Sequence, residues 1–423
     1  LSPAMSPRAS FRRLLPAILV GTLACAKDPA GPPAPITGLP RDLTATESRL
    51  ALASNAFAFD LLRQTAADPS GNSVIAPLSV SMALGMLMNG ADGVTLDQMR
   101  LALRHASPST TPPTLSEMNA AYRGLLELLT GLDRSTTMRL ANGIWYRTGF
   151  TPAPGFLEAT RTHFDAVVRA VDFAAGRTLG EINGWVKEQT SGRIPTILES
   201  IHPDDVMYLI NAMYFKGAWQ EPFDPQATRS ASFAAAGGAQ QVSMMYRQGQ
   251  QRIRFGDQYA TIDLPYGNGA FAMTIVLPNE GVSVQSVVET MTADRWEAMV
   301  GELSATAATV KADLYLPKFT LAITRQLKDD LTALGMAELF DPTRANLSRL
   351  ATGSERLYVR FVTHKTFLEV NEAGTEAAGV TGIGVGVTSL PPQFRVDRPF
   401  LLAIRERFSG TILFLGKIVR IPA

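Results

Sequence analysis

The chain has 423 residues, and its 39 basic and 38 acidic side chains give a formal net charge of +1. A charge this close to zero argues against a nucleic-acid-binding protein, because such a protein needs a basic surface to displace counterions from phosphates. Hydrophobic residues make up 46% and charged residues 18% of the chain, which is typical of a globular protein rather than a disordered one.

The amino-terminal 25 residues have the pattern of an export signal. Three arginines between positions 8 and 13 precede an apolar run over 14–26, which is too short to span a bilayer because a span takes about 20 apolar residues. Cys25 lies near the end of this run, and the arrangement resembles a bacterial lipoprotein signal with a lipidated cysteine. We expect 1–25 to be a signal peptide and Cys25 a lipid-carrying membrane tether; the alternative is an ordinary secretory signal with an incidental cysteine. Both alternatives predict a protein exported to the extracellular space or the cell envelope.

Helical spacing of apolar residues dominates the first half of the chain, after a Pro/Gly-rich stretch over 26–45 that we interpret as a flexible tether. Ser54 and Asn55 are candidate amino-terminal caps of the first helix. The second helix is apolar nearly all round and rich in methionine, which favours a buried core helix over a metal or cofactor site. The spacing predicts helices over 50–65, 80–89, 115–132, 154–164 and 178–190.

After these predicted helices, the spacing of apolar residues changes to that of strands, and many residues are β-branched or aromatic. The predicted strands are 206–215, 251–264, 271–277, 310–316, 357–371 and 411–421. Helices mostly first and strands mostly later are typical of an α+β protein. Because neither a repeat nor a Pro/Gly-rich linker interrupts 46–423, we interpret these residues as one large domain.

The sequence carries no recognisable catalytic constellation, and we expect neither an enzyme nor a cofactor. There is no G-x-S-x-G elbow or Walker loop, and a single cysteine excludes a disulfide and cysteine-rich metal sites. The glycine-rich stretch 382–386 suggests a phosphate cradle, but Pro391 and Pro392 follow it where a dinucleotide-binding loop would open a helix. The four histidines lie outside any H-E-x-x-H frame and give no metal site: His105, His163, His202 and His364.

The long connection over 372–399 is the most informative segment. Connections of this length in compact domains are uncommon and are usually functional. Every second residue from Thr375 to Val387 is small or β-branched, in the order Thr, Ala, Gly, Thr, Ile, Val and Val. This period of two is that of a strand with one face to bury, in a segment whose flanks make it a loop.

Several motifs resemble those of the serpins, in the right order and over essentially all of 46–423. They are NSVIAPLS (72–79), WVKEQTSGRI (185–194), LINAMYFKGAW (209–219), LPKF (316–319), HK (364–365), NEAGTEAAG (371–379), RPF (398–400) and LGK (415–417). The resemblance implies the serpin fold, with helices packed around a large central, mostly antiparallel β-sheet. It also implies that 372–398 is an exposed reactive-centre loop.

The resemblance further implies a serine protease inhibitor that acts as a suicide substrate. The target protease cleaves the loop, remains attached as a covalent acyl-enzyme, and is distorted when the loop inserts into the central sheet. By the family's spacing the reactive bond joins Thr388 and Ser389, with Val387 as the alternative residue before the bond. No Arg or Lys lies between 372 and 393, so we expect an elastase-like or subtilisin-like target.

The loop hinge indicates an inhibitor rather than a non-inhibitory serpin-fold binding protein, which is the alternative. Insertion begins at the hinge, and burying a large or charged side chain there would stall it. The alternation leaves only small side chains on the buried face, with Glu376 on the solvent side. The hinge residues are Gly374, Thr375, Glu376, Ala377, Ala378 and Gly379.

The resemblance also assigns residues around the central sheet. Ser79, Asn211 and His364 match a polar cluster at which the sheet opens, with Ala76 where a serine is expected. Three further residues match the point at which insertion begins: Trp219, Lys318 and Glu372. Lys318 and Glu372 match a salt-bridged pair. For His364 and for Trp219, the alternative interpretation is plain core packing.

The predicted partners are few. The predicted helix over 115–132 has Arg123 as its single basic residue, so we expect no heparin site. We expect a monomer whose partner is the target protease.

Overall fold

The computed structural model describes residue 1 and residues 34–106, 111–305, 309–353, 356–375 and 391–422. Within this described part, none of the helices is both long and apolar enough to cross a membrane. The helices are α1 (Ala45–Thr65), α2 (Pro77–Met88), α3 (Gly93–Ala102), α4 (Leu115–Gly131), α5 (Pro154–Phe164), α6 (Thr178–Gln189), α7 (Val284–Thr290), α8 (Ala293–Ala305) and α9 (Lys328–Ala333). The five predicted helices are confirmed, and α3, α7, α8 and α9 were not predicted.

The first helix begins earlier than its apolar pattern indicates. Thr44 caps it in a capping box, in which its hydroxyl accepts from the Glu47 N–H at 3.2 Å and its own N–H donates to the Glu47 carboxylate at 2.8 Å. The prediction that Ser54 and Asn55 cap this helix is wrong, because both are buried within it. Asn55 instead donates to the carbonyl of Gly410 and accepts from the N–H of Ile412, joining α1 to the last strands.

The strands form three sheets that are mostly antiparallel. They are β1 (Ser73–Ile75), β2 (Thr136–Arg147), β3 (Val167–Val171), β4 (Met207–Ala218), β5 (Arg229–Ala235), β6 (Gly238–Phe255), β7 (Tyr259–Tyr266), β8 (Phe271–Pro278), β9 (Val310–Pro317), β10 (Phe319–Gln326), β11 (Thr363–Val370), β12 (Gly374–Thr375), β13 (Gln393–Arg395), β14 (Phe400–Glu406) and β15 (Ile412–Ile418). A nine-stranded sheet has the order β1-β15-β14-β8-β7-β6-β9-β13, with β5 paired to β6. A four-stranded sheet has the order β12-β4-β2-β3, and β10 pairs with β11. The predicted α+β class is confirmed.

Two predicted strands have different limits in the structure. The predicted strand 251–264 is the end of β6 and the start of β7, which a turn at Gly256 separates because its N–H bonds the carbonyl of Tyr259 at 3.1 Å. The predicted strand 357–371 begins only at Thr363, and the residues before it have no ladder partner among the described strands.

Several helices pack against these sheets. Helix α2 lies against β4 and β15, and its methionines are core residues, with Met82 and Met86 fully buried. The predicted tether over 26–45 is too long, because Ile36, Leu39 and Leu43 pack on the main apolar core. The N–H of Ile36 also donates to the carbonyl of Asn268 at 2.8 Å.

Candidate functional site: the strand slot between β4 and β11

Strands β4 and β11 lie on either side of the short strand β12. Among the described strands β4 pairs with β2 and β12, and β11 pairs with β10, so β4 and β11 share no backbone ladder. The chain leaves β11, turns between Asn371 and Gly374, and returns as β12 beside β4. Because β12 is antiparallel to β4 and folds back from β11, the two flanking strands run in the same direction. We call the position between them the slot.

Gly374 lies where only glycine fits. Its φ is +142°, and a Cβ atom there would lie 2.2 Å from the carbonyl oxygen of Gly217. The predicted hinge residue is therefore required at this position by both the backbone conformation and the close approach to β4. The next residue, Thr375, lies opposite Gly217 in the β12–β4 register, and Gly374 lies opposite Ala218.

The side chain of Thr375 points into the core. It is 4% exposed, and its Oγ1 atom lies 2.9 Å from the phenolic oxygen of Tyr266. Burial raises the pKa of the Tyr266 phenol, so that it stays protonated and able to donate. The Tyr266 ring stacks on Trp219 with ring centroids 4.5 Å apart.

Trp219 holds the turn that precedes the hinge. Its indole Nε1 donates to the carbonyl of Asn371 at 2.9 Å, and its backbone N–H donates to the carbonyl of Ala373 at 2.9 Å. Asn371 in turn accepts on its side-chain oxygen from the N–H groups of Ala373 and Gly374. Trp219 therefore orients the start of the loop as well as packing in the core.

The predicted pair of Lys318 and Glu372 is formed. Lys318 Nζ lies 2.9 Å from Glu372 Oε2, and the hydroxyl of Thr228 donates to Glu372 Oε1 at 2.9 Å. Burial acts to raise the pKa of Glu372, but the hydrogen bonds from Lys318 and Thr228 outweigh it and hold the pKa below its usual range. Because Lys318 is half exposed, the pair contributes only about 0–1 kcal/mol to stability.

The polar cluster that was predicted where the sheet opens, Ser79, Asn211 and His364, is divided between the two sides of the slot. Ser79 donates to the side-chain oxygen of Asn211, and Asn211 Nδ2 donates to Asn142 Oδ1 at 2.5 Å. Asn142 then donates to the carbonyl of Phe164 at 2.6 Å, which completes a chain of hydrogen bonds. Asn142 was not predicted, although it is an amide in an otherwise apolar part of β2.

His364 is the member on the other side of the slot. Its Nε2 atom accepts from the backbone N–H of Ala76 at 3.0 Å, and no hydrogen bond joins it to Ser79 or Asn211 among the described contacts. The alanine that replaces the expected serine thus binds the histidine through its backbone. Burial lowers the pKa of His364 to about 4, so the ring is neutral and Nε2 can accept.

All three members of the predicted cluster line one cavity of about 720 Å³, which lies at the end of the slot where β4 and β11 begin. One wall is the start of β4, with Met207 and Leu209, and the other is the irregular segment 356–362 with the start of β11. Most other lining side chains are apolar, such as Leu84 and Ile197. The cavity is therefore lined mainly by apolar side chains, and the ion pair of Arg360 and Asp205 also lines it.

Several predicted residues lie outside the described part of the chain. They are Cys25, the hinge residues Glu376, Ala377, Ala378 and Gly379, and the reactive-bond residues Val387, Thr388 and Ser389. Arg123, on α4, is described and pairs with Glu127 at 2.6 Å. Over the residues that are described, no group of three His, Cys, Asp or Glu side chains could hold a metal ion.

Comparison with known proteins gives consistent similarities. A family model described as Serpin (serine protease inhibitor) matches residues 52–421. The chain is 34% identical to glia-derived nexin of Mus musculus over 364 residues, which cover 83% of this chain and 88% of the relative. It is 33% identical to leukocyte elastase inhibitor of Bos taurus, covering 88% and 99% of the two chains. The crystal structure of the thermophilic serpin tengpin in its native state matches with a TM-score of 0.78 and 28% identity, over 92% of this chain and 97% of tengpin.

Proposed function

The chain belongs to the serpin family, and we propose that it inhibits a serine protease as a suicide substrate whose cleaved loop inserts between β4 and β11. Serpins are protease inhibitors rather than enzymes, and homologues of this chain are named as inhibitors. The observation that carries the proposal is the seating of Thr375 in β12, inside the slot.

The register of β12 supports insertion of the following residues. Since Gly374 lies opposite Ala218 and Thr375 opposite Gly217, each later residue would fall opposite one residue earlier in β4. Continuing the ladder after insertion would put Thr381 opposite Asn211, Ile383 opposite Leu209 and Val385 opposite Met207, the first residue of β4.

The alternation of the loop supports the same assignment. Residues 377, 379, 381, 383 and 385 would share the buried face of Thr375, and they are Ala, Gly, Thr, Ile and Val. Full burial of an Ile or Val side chain contributes about 1.5–3 kcal/mol. The expected neighbours of Ile383 and Val385 are Leu209 and Met207. Both of these residues line the cavity of about 720 Å³. The slot thus offers apolar burial where the loop is most apolar.

The proposed reaction uses the chemistry of the target. The protease serine attacks the carbonyl carbon of Thr388, the peptide bond to Ser389 breaks, and the amine of Ser389 leaves with the proton that the protease histidine supplies. The acyl-enzyme ester remains on Thr388, and insertion of the loop carries the protease away before water hydrolyses the ester. The threonine before the bond suits an elastase-like or subtilisin-like primary pocket.

The proposal is tested by incubating the protein with elastase, subtilisin, trypsin and a papain-type protease, followed by a denaturing gel. We expect a complex that resists SDS with elastase or subtilisin, and mass spectrometry should place the cut at Thr388–Ser389 or at Val387–Thr388. Failure to form a complex with any serine protease would contradict inhibition and favour a non-inhibitory serpin-fold binding protein. A cut outside 387–389 would overturn the assigned reactive bond.

We propose that the inhibitor acts outside the cytoplasm, tethered to a membrane through lipidated Cys25. The arginines before the apolar run and the position of the cysteine support this proposal. A bacterial host that expresses the chain with a labelled fatty acid should label the wild type and not the Cys25→Ala variant. Equal labelling of the two, or none of either, would contradict the tether.

A further inference from the structure

The cavity of about 720 Å³ has a charged end, which lies where its two walls begin along the chain. Arg147 lies at the end of β2, and its backbone N–H donates at 2.9 Å to the carbonyl of the residue just before β4. Arg356 and Arg360 lie on the opposite wall, in the irregular segment before β11. Asp204 and Asp205 also line this end, so its charged side chains are three guanidiniums and two carboxylates.

One of these three arginines is ion-paired in the described part of the chain. Arg360 Nη2 lies 2.7 Å from Asp205 Oδ2, and the buried Nε atom of the same side chain has no hydrogen-bond partner there. Arg147 donates through Nη1 to the carbonyl of Pro203 at 3.1 Å, and Arg356 is exposed. Neither Arg147 nor Arg356 has a carboxylate partner among the described residues. Two guanidinium charges at this end of the cavity are therefore uncompensated.

The two aspartates do not neutralise these guanidiniums. Asp205 accepts from Arg360 and from the hydroxyl of Tyr208 on the same oxygen. Burial raises the pKa of Tyr208 to about 12, so the phenol stays protonated and able to donate. The side chain of Asp204 is 91% exposed, and its Oδ2 atom lies 3.6 Å from His202 Nδ1. This end of the cavity is therefore suited to an additional anion.

Beyond the charged end, the wall of the cavity is mainly apolar. Leu84 and Leu87 of α2 line it, together with Ile197 and with residues 206–211 at the start of β4. An extended chain over 206–211 spans about 17 Å. The acyl chain of a membrane lipid has a similar length, because one leaflet is half of a hydrocarbon core of about 30 Å. A mainly apolar cavity of this volume with a few polar groups is typical of a site for a small molecule.

We propose that this cavity binds a long-chain fatty acid. Its carboxylate pairs with Arg147 and Arg356, and its acyl chain packs against Leu84 and Leu87. A guanidinium binds a carboxylate through two parallel hydrogen bonds, and it thereby selects an acid over an uncharged alcohol of the same chain length. A cationic head group is disfavoured because it would lie beside the unpaired arginines.

A bound fatty acid would hold the inhibitor in its uninserted state. In the continued β12 register, Ile383 and Val385 would lie beside Leu209 and Met207, which line the same cavity. The acyl chain and the inserted loop therefore compete for one volume. This competition rests on the proposed loop insertion, whereas binding of the acid to the intact protein does not.

Isothermal titration of the intact, full-length protein tests the binding with dodecanoate, with dodecan-1-ol and with dodecyltrimethylammonium. We expect saturable binding of dodecanoate to one site. The affinity for the other two ligands should be weaker by about tenfold or more, because neither accepts the hydrogen bonds of a charged pair. Absence of saturable dodecanoate binding, or an equal affinity for dodecanoate and either of the other ligands, would overturn the proposal.

Matched variants locate the site. Arg356→Gln should weaken dodecanoate binding about three- to fivefold, since an exposed ion pair contributes modestly, whereas Arg420→Gln, at an exposed arginine outside the cavity, should leave it unchanged. Ala83→Trp should fill the cavity and abolish binding, and Ala120→Trp, at an exposed alanine on α4, is its control. If either cavity variant has a native circular dichroism spectrum and binds dodecanoate as tightly as its control, the assigned site is wrong.

Protein cut at a single bond between 387 and 389 tests the competition. It should unfold at a higher temperature than the intact protein, and it should no longer bind dodecanoate. Undiminished binding by cut protein whose unfolding temperature has risen would overturn the competition. An unchanged unfolding temperature would instead contradict the proposed loop insertion, and the titrations of the intact protein would still decide whether the site exists.

Discussion

The Oγ1 atom of Thr375 lies 2.9 Å from the phenolic oxygen of Tyr266, and both side chains are buried. This contact ties β12, where the proposed reactive-centre loop begins, to β7 in the nine-stranded sheet. Tyr266 also stacks on Trp219, which holds the turn before the hinge through Asn371. Gly374 and Thr375 thus already lie in the slot, and the proposed insertion would extend the ladder that they begin.

Changing Thr375 to arginine should convert the inhibitor into a substrate. The guanidinium would have to be buried without a partner beside Tyr266, which costs several kcal/mol and stalls insertion. On a denaturing gel with the target protease, Thr375→Arg should give cleaved protein and little complex. Thr375→Val keeps the shape, loses a single hydrogen bond of about 1 kcal/mol, and should still form the complex. An arginine variant that forms as much complex as the valine variant would contradict this role of the hinge.

Replacing Gly374 by alanine should release β12 from the slot. The new Cβ would lie 2.2 Å from the Gly217 oxygen at a φ of +142°, and such strain costs about 1–3 kcal/mol. Hydrogen exchange of the amides at 217–218 and 374–375 should become faster. Gly176→Ala is the control, because nothing lies within 4 Å of its added Cβ. Unchanged protection in Gly374→Ala would show that the β12 ladder does not depend on this glycine.

The chain of hydrogen bonds from Ser79 to Phe164 should be energetically coupled. Asn211→Ala removes the partner of the Ser79 hydroxyl and the donor to Asn142 Oδ1, at a cost of about 1–3 kcal/mol in the free energy of unfolding. Because Asn142→Ala breaks the same link, the double variant should lose less than the two single variants together. Urea unfolding of all four proteins measures the coupling. Strictly additive losses would mean that the two amides act separately.

His364 should make the protein less stable in acid. Burial lowers its pKa to about 4 in the folded protein, against 6.5 for a free histidine, so the unfolded state takes up a proton that the folded state does not. The contribution of neutral His364 to the free energy of unfolding is complete above pH 6.5. It is lost as the pH falls towards 4, at up to about 1.4 kcal/mol per pH unit. A proton on Nε2 would also remove the acceptor for the Ala76 N–H.

The measurement is the free energy of unfolding between pH 6.5 and 4. His364→Gln should show a slope smaller than that of the wild type by about one proton, although the buried His105 still contributes in both proteins. Equal slopes in His364→Gln and the wild type would contradict the neutral, buried assignment.

The sequence predicts the fold class and the two longest helices, α1 and α4, well because their apolar spacing persists over several turns. It fails where the signal is short or interrupted. Helices α7 and α9 span few residues. A turn at Gly256 separates β6 from β7, which the apolar pattern predicted as a single strand over 251–264. Ile36, Leu39 and Leu43 lie in a stretch rich in proline and glycine, so their burial depends on a surface formed by distant residues.

The sequence predicts those site residues that match a family motif one by one. It does not predict contacts that depend on how distant strands and loops pair in the fold. The link between Asn142 and Asn211 comes from their opposite positions in the β2–β4 register, which no local pattern encodes. The bond from the Ala76 backbone to His364 involves no side chain at position 76 and is invisible in the sequence. By contrast, the small residue at 375 was clear from the alternation of the loop, whereas the need for glycine at 374 follows from its backbone conformation and its close approach to β4.

The central claim is that the slot between β4 and β11 accepts the loop after cleavage. The most direct test compares the thermal unfolding of intact protein with that of protein cut at a single bond between 387 and 389. Insertion predicts that the cut protein remains folded at temperatures at which the intact protein has unfolded. An unfolding temperature that is unchanged or lower after the cut would contradict the account.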